Sequence, residues 1–433
     1  MRPVAAWGRL DAPLHRVLPL HDREDARRRI PQTGAPGLAH GMGRSYGDVC
    51  LNPGGVLWQT TGLDRFIAFD PETGRLHCES GVLLSQIQRL TIPRGWALPV
   101  IPGTQLITVG GAVANDVHGK NHHGLGTFGD HILALTLLRS DGEIIECGPR
   151  LRPEWFSATV GGLGLTGVIL DVAIQMRRSS GPWLETETRA FCGLEEFFGL
   201  ADAAQSQWEH TVAWIDCLTG SQVRGLFMCG RPAAQQSAAP PEARARRLPF
   251  APPISPVNRY TLKLFNYAYL LAKQHRGRRE REFYGHFLCP LDALLDWNKM
   301  YGPRGFYQYQ CVVPRTGGHE AIAALLREIA QAGEGSFLAV LKTFGERGAP
   351  GMLSFAREGA TLALDFPNRG EASLRLFARL DAIVLEAGGR IYPAKDARMS
   401  AQMFGQGYPK AQAFCAYRDP GITSGLSRRL LGS

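Results

Sequence analysis

Apolar and polar residues alternate with two different periods along this chain, and the change of period divides it. Between residues 40 and 175 the apolar positions fall in short β-type runs, at 55–59, 75–78, 132–138 and 167–174. Turn signals such as Pro71-Glu-Thr-Gly and Asp141-Gly separate them. One helical pattern interrupts at 83–90 and is stopped by Pro93-Arg-Gly. Beyond residue 180, helical spacing at 194–208, 318–332 and 371–387 alternates with strand patterns at 210–216, 305–313, 336–342 and 360–365. The expected fold class is α+β with two domains. A glycine-rich first domain spans 1–178 and is completed by 390–433; a second, over 179–389, is an antiparallel sheet covered by helices on one face. The Pro-, Ala- and Arg-rich stretch 231–257 reads as a mobile loop, and a helix of amphipathic or wholly apolar character is expected over 261–273.

Composition narrows the class. With 44% hydrophobic and 20% charged residues, the 433-residue chain is neither disordered nor fibrous. No run approaches the roughly 18 apolar residues of a membrane helix. The first residues carry no apolar stretch before a small-residue cleavage site, so a cytoplasmic protein is expected. Nine cysteines are scattered singly with no Cys-x-x-Cys pair, which argues against a disulfide scaffold or zinc ribbon and fits a reducing compartment. Charge is uneven: from Arg231 to Arg281 eleven Lys and Arg face only Glu242 and Glu280, a surplus that equals the +9 of the whole chain. Such a patch points to an anionic partner: phosphate, membrane surface or nucleic acid. Nucleic acid fits poorly, because Tyr260, Phe265, Tyr267 and Tyr269 follow helical spacing instead of forming a stacking platform.

Three glycine-bearing segments carry the candidate chemistry. They are His40-Gly-Met-Gly-Arg-Ser-Tyr-Gly-Asp, then Pro102-Gly-Thr with Thr108-Val-Gly-Gly-Ala-Val-Ala-Asn-Asp-Val-His-Gly-Lys-Asn-His-His, then Gly161-Gly-Leu-Gly-Leu-Thr-Gly-Val. None is a P-loop, and none sits in the strand–turn–helix unit of a Rossmann fingerprint. What remains is a pyrophosphate held by loop amides, a nest rather than a helix dipole.

In this order the segments resemble the FAD domain of the vanillyl-alcohol-oxidase family, also called PCMH-type. Within it they resemble the branch that oxidises the 2′-hydroxyl of a polyprenyl-phospho-ribose. The likeness continues through Gln308-Tyr-Gln, Lys342-Thr-Phe-Gly, Leu364-Asp-Phe-Pro and Ile391-Tyr-Pro-Ala-Lys-Asp, and is weakest from 180 to 285. The resemblance implies that Gly41, Met42, Gly43, Arg44, Ser45, Tyr46, Gly47 and Asp48 wrap the pyrophosphate and ribityl chain, together with Gly103, Thr104, Thr108, Val109, Gly110, Gly111, Asn115, Asp116, Val117 and His118. It implies that Gly167 and Val168 meet the adenosine half and that Tyr392 contacts the flavin. Related aldonolactone and alditol oxidases link the flavin covalently through a His after Gly-x-Gly. Arg44 occupies that place here, so dissociable FAD is expected.

Oxidation of a secondary alcohol needs a C–H aimed at flavin N5, a base for the hydroxyl proton, and groups that hold the substrate. Lys395, flanked by apolar Pro393 and Ala394, is the first candidate for handling that proton, with a Lys395–Asp396 surface pair as the competing reading. Tyr46, His118 and Lys120 are further catalytic candidates. Lys342 lies in an apolar strand where a lone cation is costly, and Gln308 and Gln310 share one strand face; all three are candidate substrate contacts. Ala363 stands in the same pocket where the resembled branch carries a cysteine, so no thiol chemistry is expected. His118, His122 and His123 suggest a metal, but Gly119 and Gly124 argue against one helix face and no further ligands complete a shell; no metal is expected.

The expected activity is oxidation of the 2′-hydroxyl of a lipid-linked phospho-pentose to a ketone, the first half of an epimerisation. The alternative is an alditol- or aldonolactone-type oxidase acting on a soluble sugar. The resemblance further implies a partner NAD(P)H-dependent keto-sugar reductase and a role in cell-wall arabinan precursors. The basic, apolar 231–285 region leads to an expectation of peripheral contact with the inner membrane.

Overall fold

The computed structural model describes residues 1–220, 222–234, 245–274 and 279–432. Its first half holds two sheets. Arg2–Pro3, Leu14–Pro19, Val56–Gln59 and Gly37–His40 form the first, with parallel pairing about the Val56–Gln59 strand. Phe66–Asp70, Arg75–Glu79, Val168–Gln175, Ile132–Leu138 and Ile144–Cys147 form an antiparallel second. Val168–Gln175 is apolar on both faces because it is central: Val172 and Ile174 pack within the second sheet's core, while Val168 and Leu170 face the main core.

The second half is one eight-stranded antiparallel sheet. Its order is Arg279–Phe283, Trp183–Cys192, Arg224–Pro232, His210–Ile215, Val340–Phe344, Gly359–Pro367, Phe306–Val313 and Arg390–Ile391. Period-2 alternation sorts its side chains. Tyr309, Cys311, Val313, Leu362, Leu364 and Leu341 face helices Leu194–Ala204, Gly318–Ala332 and Glu371–Glu386, which bury Phe197, Leu326 and Phe377 against them. Gln308, Gln310, Ala363, Asp365 and Lys342 face the other way, into a cavity.

Several expectations are revised. That second face is not bare: helix Arg259–Gln274 covers part of it, packing Leu270 on Trp214 and Leu226. The strand expected at 336–342 starts at Val340, because the Ser336 hydroxyl accepts from the Leu338 amide (3.0 Å) in a turn that delays entry into the ladder. Thr108 lies at a helix start instead of in an open loop: it caps Val109–Ala114, accepting from the Gly111 amide at 3.2 Å. Within the stretch read as a mobile loop, Arg246–Arg247 pairs with Leu294–Leu295, while 235–244 lies outside the described residues, as do Arg276 and Arg278. Among the described residues no helix is long and apolar enough to cross a membrane.

The C-terminal return ties the halves together. Tyr392 donates its amide to Gln310 O (2.9 Å), and Ala394 O receives the Tyr46 amide (3.1 Å). Arg429, on helix Gly425–Leu430, reaches Asp48 (2.8 Å) and Asp396 (3.0 Å) at once. The first glycine loop is thereby clamped to the turn that carries Lys395, just after the Arg390–Ile391 strand.

Candidate active site

One cavity of about 530 Å³ runs between the glycine loops and the open face of the eight-stranded sheet. At its first end the amides of Gly41, Met42, Gly43, Arg44 and Ser45 donate to no acceptor among the described residues, whereas the next, Tyr46, is satisfied. Gly43 bends the loop at φ +60°, which a side chain would disfavour. Gly41 packs so closely that a Cβ would lie 2.6 Å from Thr108 Oγ1. The result is a row of unpaired N–H groups, a site for an anion. Buried Ser80 Oγ and Asn115 Oδ1, on the wall of the same cavity, also lack partners. Arg44 is half-buried at the rim, its guanidinium 4.1 Å from the Trp7 ring centre.

Of the residues expected at a cofactor, Gly41, Met42, Gly43, Arg44, Ser45, Tyr46, Gly103, Thr104, Thr108, Gly110, Gly111, Asn115, Val117, His118, Gly167 and Tyr392 line this cavity. Gly47, Asp48, Val109, Asp116 and Val168 do not, each for a structural reason. A Cβ on Gly47 would meet Asp396 O at 2.0 Å, and Asp48 is held by Arg429. Val109 and Val168 are buried in core. Asp116 is enclosed, accepting from the Gly129 amide (2.9 Å) and from Ser354, with burial pushing its carboxyl up to about 6. Tyr392 stacks on Phe355 (4.5 Å) and donates to Asn115 O (2.9 Å), so its ring is fixed.

The other end of the cavity is polar and sheet-borne. Gln308 pairs with Asp365 across two strands, Gln310 with Ala363, and Lys342 with Thr361. Lys342 Nζ lies 2.9 Å from His118 Nδ1 and donates to Gly119 O at 2.8 Å. Gln310 Nε2 lies 3.0 Å from His118 Nε2. Burial and Lys342 hold the imidazole well below its ordinary pKa, so it is neutral. A neutral imidazole accepts at one nitrogen only. The arrangement closes if an uncharged Lys342 amine accepts from Nδ1–H while Gln310 donates to Nε2. Consistently, burial and the neighbouring Lys120 and Lys395 bring Lys342 down to about 7.

Lys395 faces the same chamber, Nζ 4.1 Å from the Tyr46 ring centre. Burial lowers its pKa and Asp365 opposes the shift. Asp365 is buried, with Gln308 Nε2 donating to Oδ1 at 2.6 Å and Tyr301 OH lying 3.4 Å from Oδ2; burial raises its pKa. The alternative of a Lys395–Asp396 surface pair fails: Asp396 is buried and takes the Arg398 and Met399 amides and Arg429 instead. Lys120 lines the cavity wall, but its ammonium is tied to Phe287 O and Leu288 O, and burial lowers it to about 8.

Asp365, Tyr301 and Thr361 are site residues that motif reading passed over. The signal existed: 361, 363 and 365 share a strand face, and an ionisable group in Leu-Ala-Leu-Asp-Phe-Pro demands a partner. A single helical turn, His122–Leu125, does form despite Gly124, but it begins after His118, and His122 packs on Phe344 (4.5 Å). Among the described residues no cluster of three metal-ligating side chains occurs.

An amide nest for a long anion is thus joined to a chamber of amines and a carboxyl. Residues 22–148 match the FAD binding domain family. Over a 450-residue alignment the chain is 34% identical to decaprenylphosphoryl-β-D-ribose oxidase of Mycolicibacterium smegmatis, covering 99% of this chain and 97% of that one. The chain belongs to the PCMH-type FAD oxidoreductases that include this enzyme. Mouse L-gulonolactone oxidase is 29% identical over 136 residues, 31% of this chain and 30% of its own. A D-lactate dehydrogenase of Anaerostipes hadrus is 27% identical over 128 residues, 28% and 27%. FAD fits the residues present: the free amides of 41–45 suit its pyrophosphate, and Ser80 and Asn115 offer unpaired oxygens to its hydroxyls.

Proposed function

We propose that this protein oxidises the 2′-hydroxyl of a polyprenyl-phospho-pentose to the ketone, with non-covalent FAD, as the first half of an epimerisation. The observation that carries the reading is the chamber itself, where Lys395, Asp365, Lys342, His118 and Gln310 surround a space that continues between apolar Trp214, Met228 and Leu338 beneath helix Arg259–Gln274. A sugar held among the polar groups has room for an apolar tail along that extension. The end-to-end similarity to decaprenylphosphoryl-β-D-ribose oxidase supports the same substrate class; the similarity to L-gulonolactone oxidase covers 31% of the chain.

Bound FAD supplies the acceptor for the two electrons and the hydrogen leaving the carbinol carbon. The protein supplies the rest. Lys395, its amine made available by burial, takes the hydroxyl proton, and Asp365 stabilises the ammonium that forms. Gln308 and Tyr301 hold Asp365 in place; Gln310 and Lys342, both oriented by neutral His118, offer hydrogen bonds to the sugar. Ala363 brings no thiol to the wall. The keto product then requires a separate NAD(P)H-dependent reductase.

The test is anaerobic mixing of the yellow enzyme with a polyprenyl-phosphoryl-ribose. Rapid bleaching of the flavin and a product lighter by two hydrogens are expected. Equal bleaching by free pentoses or aldonolactones would overturn the lipid-phosphate assignment.

A further inference from the structure

Helix Arg259–Gln274 has two unlike faces. Inward, Leu262, Asn266 and Leu270 are buried, Asn266 donating to Asp216 Oδ1 at 2.7 Å, and Tyr269 and Lys273 line the cavity. Outward, Tyr260 is 82% and Leu264 72% exposed, with Tyr267 and Leu271 continuing the same stripe. Ile254, just before the helix, is 82% exposed as well. An outward helix face in water normally carries charged and polar residues. Here large apolar and aromatic side chains occupy it, and a contiguous patch of this kind marks a binding surface.

The charges say what covers it. The helix contains Arg259, Lys263 and Lys273 and no acidic residue, and Arg246 and Arg247 are exposed nearby in sequence. Leucines between tyrosines, flanked only by cations, match the interface of an anionic bilayer. There apolar side chains enter the acyl boundary, tyrosines sit at headgroup level and Lys or Arg reach outward to lipid phosphates. We propose that the outward face of helix Arg259–Gln274 docks the protein on an anionic membrane surface, with the helix serving as the roof through which the cavity meets the bilayer. A lipid-held substrate then enters the chamber without its tail crossing water. This deepens the functional reading and rests on it for the substrate alone; the docking face stands on exposure and charge.

The experiment is co-sedimentation of the FAD-loaded protein with phosphatidylglycerol or phosphatidylcholine vesicles. The protein is expected to bind the anionic vesicles, and less so as salt rises, since exposed charges are screened over about 8 Å at physiological ionic strength. Leu264→Ser with Tyr267→Ser should weaken that binding about tenfold or more, with flavin content and turnover on detergent-dispersed substrate unchanged. Arg259→Gln with Lys263→Gln should erase the preference for anionic over neutral vesicles. Wild-type protein that fails to sediment, or a serine variant that sediments like wild type, overturns the proposal. So does a concentration-dependent dimer abolished by the serine substitutions without vesicle binding, which would assign the face to a second copy. Normal vesicle binding alongside no oxidation of a lipid phospho-pentose would leave the docking face standing and remove the proposed substrate.

Discussion

Replacing Asp365 with Asn tests the proton-handling pair directly. Asn keeps the shape and can still accept from Gln308, so the fold around Tyr301 is preserved. What it removes is the one charge that counters burial at Lys395. An opposite charge nearby moves a pKa by about one to three units, and the absence of a direct Lys395–Asp365 ion pair among the described residues places this case at the lower end. The Lys395 pKa should fall by about one unit, equivalent to about 1.4 kcal/mol. Lys395 must be unprotonated to act. The acidic limb of flavin bleaching against pH therefore moves about one unit toward acid. The ammonium that forms has also lost its neighbour, so the plateau rate falls about tenfold. Stopped-flow bleaching across pH reads both. A limb that stays in place or moves to alkali refutes the coupling. Loss of bleaching at every pH would make Asp365 itself the acceptor.

Three further outcomes follow from the same geometry. Acid or heat precipitation should release intact FAD into solution, because Arg44 stands where a linking His would; flavin remaining with the pellet contradicts this. Lys395→Ala should keep its flavin and lose about a hundredfold or more in the rate of bleaching, and near-normal single-turnover reduction would make Lys395 structural. Lys342→Met should hold or raise the melting temperature near pH 6. Lys342 falls from 10.5 to about 7 on folding, so the cost of its buried charge is fully present below 7 and disappears as pH rises toward 10.5. A stability gain that grew with pH would contradict that sign.

The parts legible in the sequence were those with local signatures. Glycines in a fixed order mark loops whose backbone must approach a ligand, and period 2 places Gln308 and Gln310 on one face. What was not legible is long-range. Asp48 sits in the glycine motif, yet its partner is Arg429, far along the chain, and Asp396 beside Lys395 serves the same arginine. Nothing local distinguishes such a clamp from a ligand contact. Asp116 similarly reads as a cofactor group and is a buried hub for Gly129 and Ser354. The Thr108 segment looked like loop because glycine disfavours helix, but the Thr108 cap and the packing of Val109 and Val113 override that propensity. Helix Arg259–Gln274 was visible as a pattern, whereas which of its faces stays exposed depends on Trp214 and Leu226 from distant strands.

The most direct test of the central claim is a deuterium substitution at C2′ of a polyprenyl-phosphoryl-ribose. Bleaching of the enzyme-bound flavin should slow by a primary isotope effect, and the keto product should have lost the label from C2′. Bleaching at an unchanged rate with deuterium retained at C2′ would contradict oxidation at that carbon.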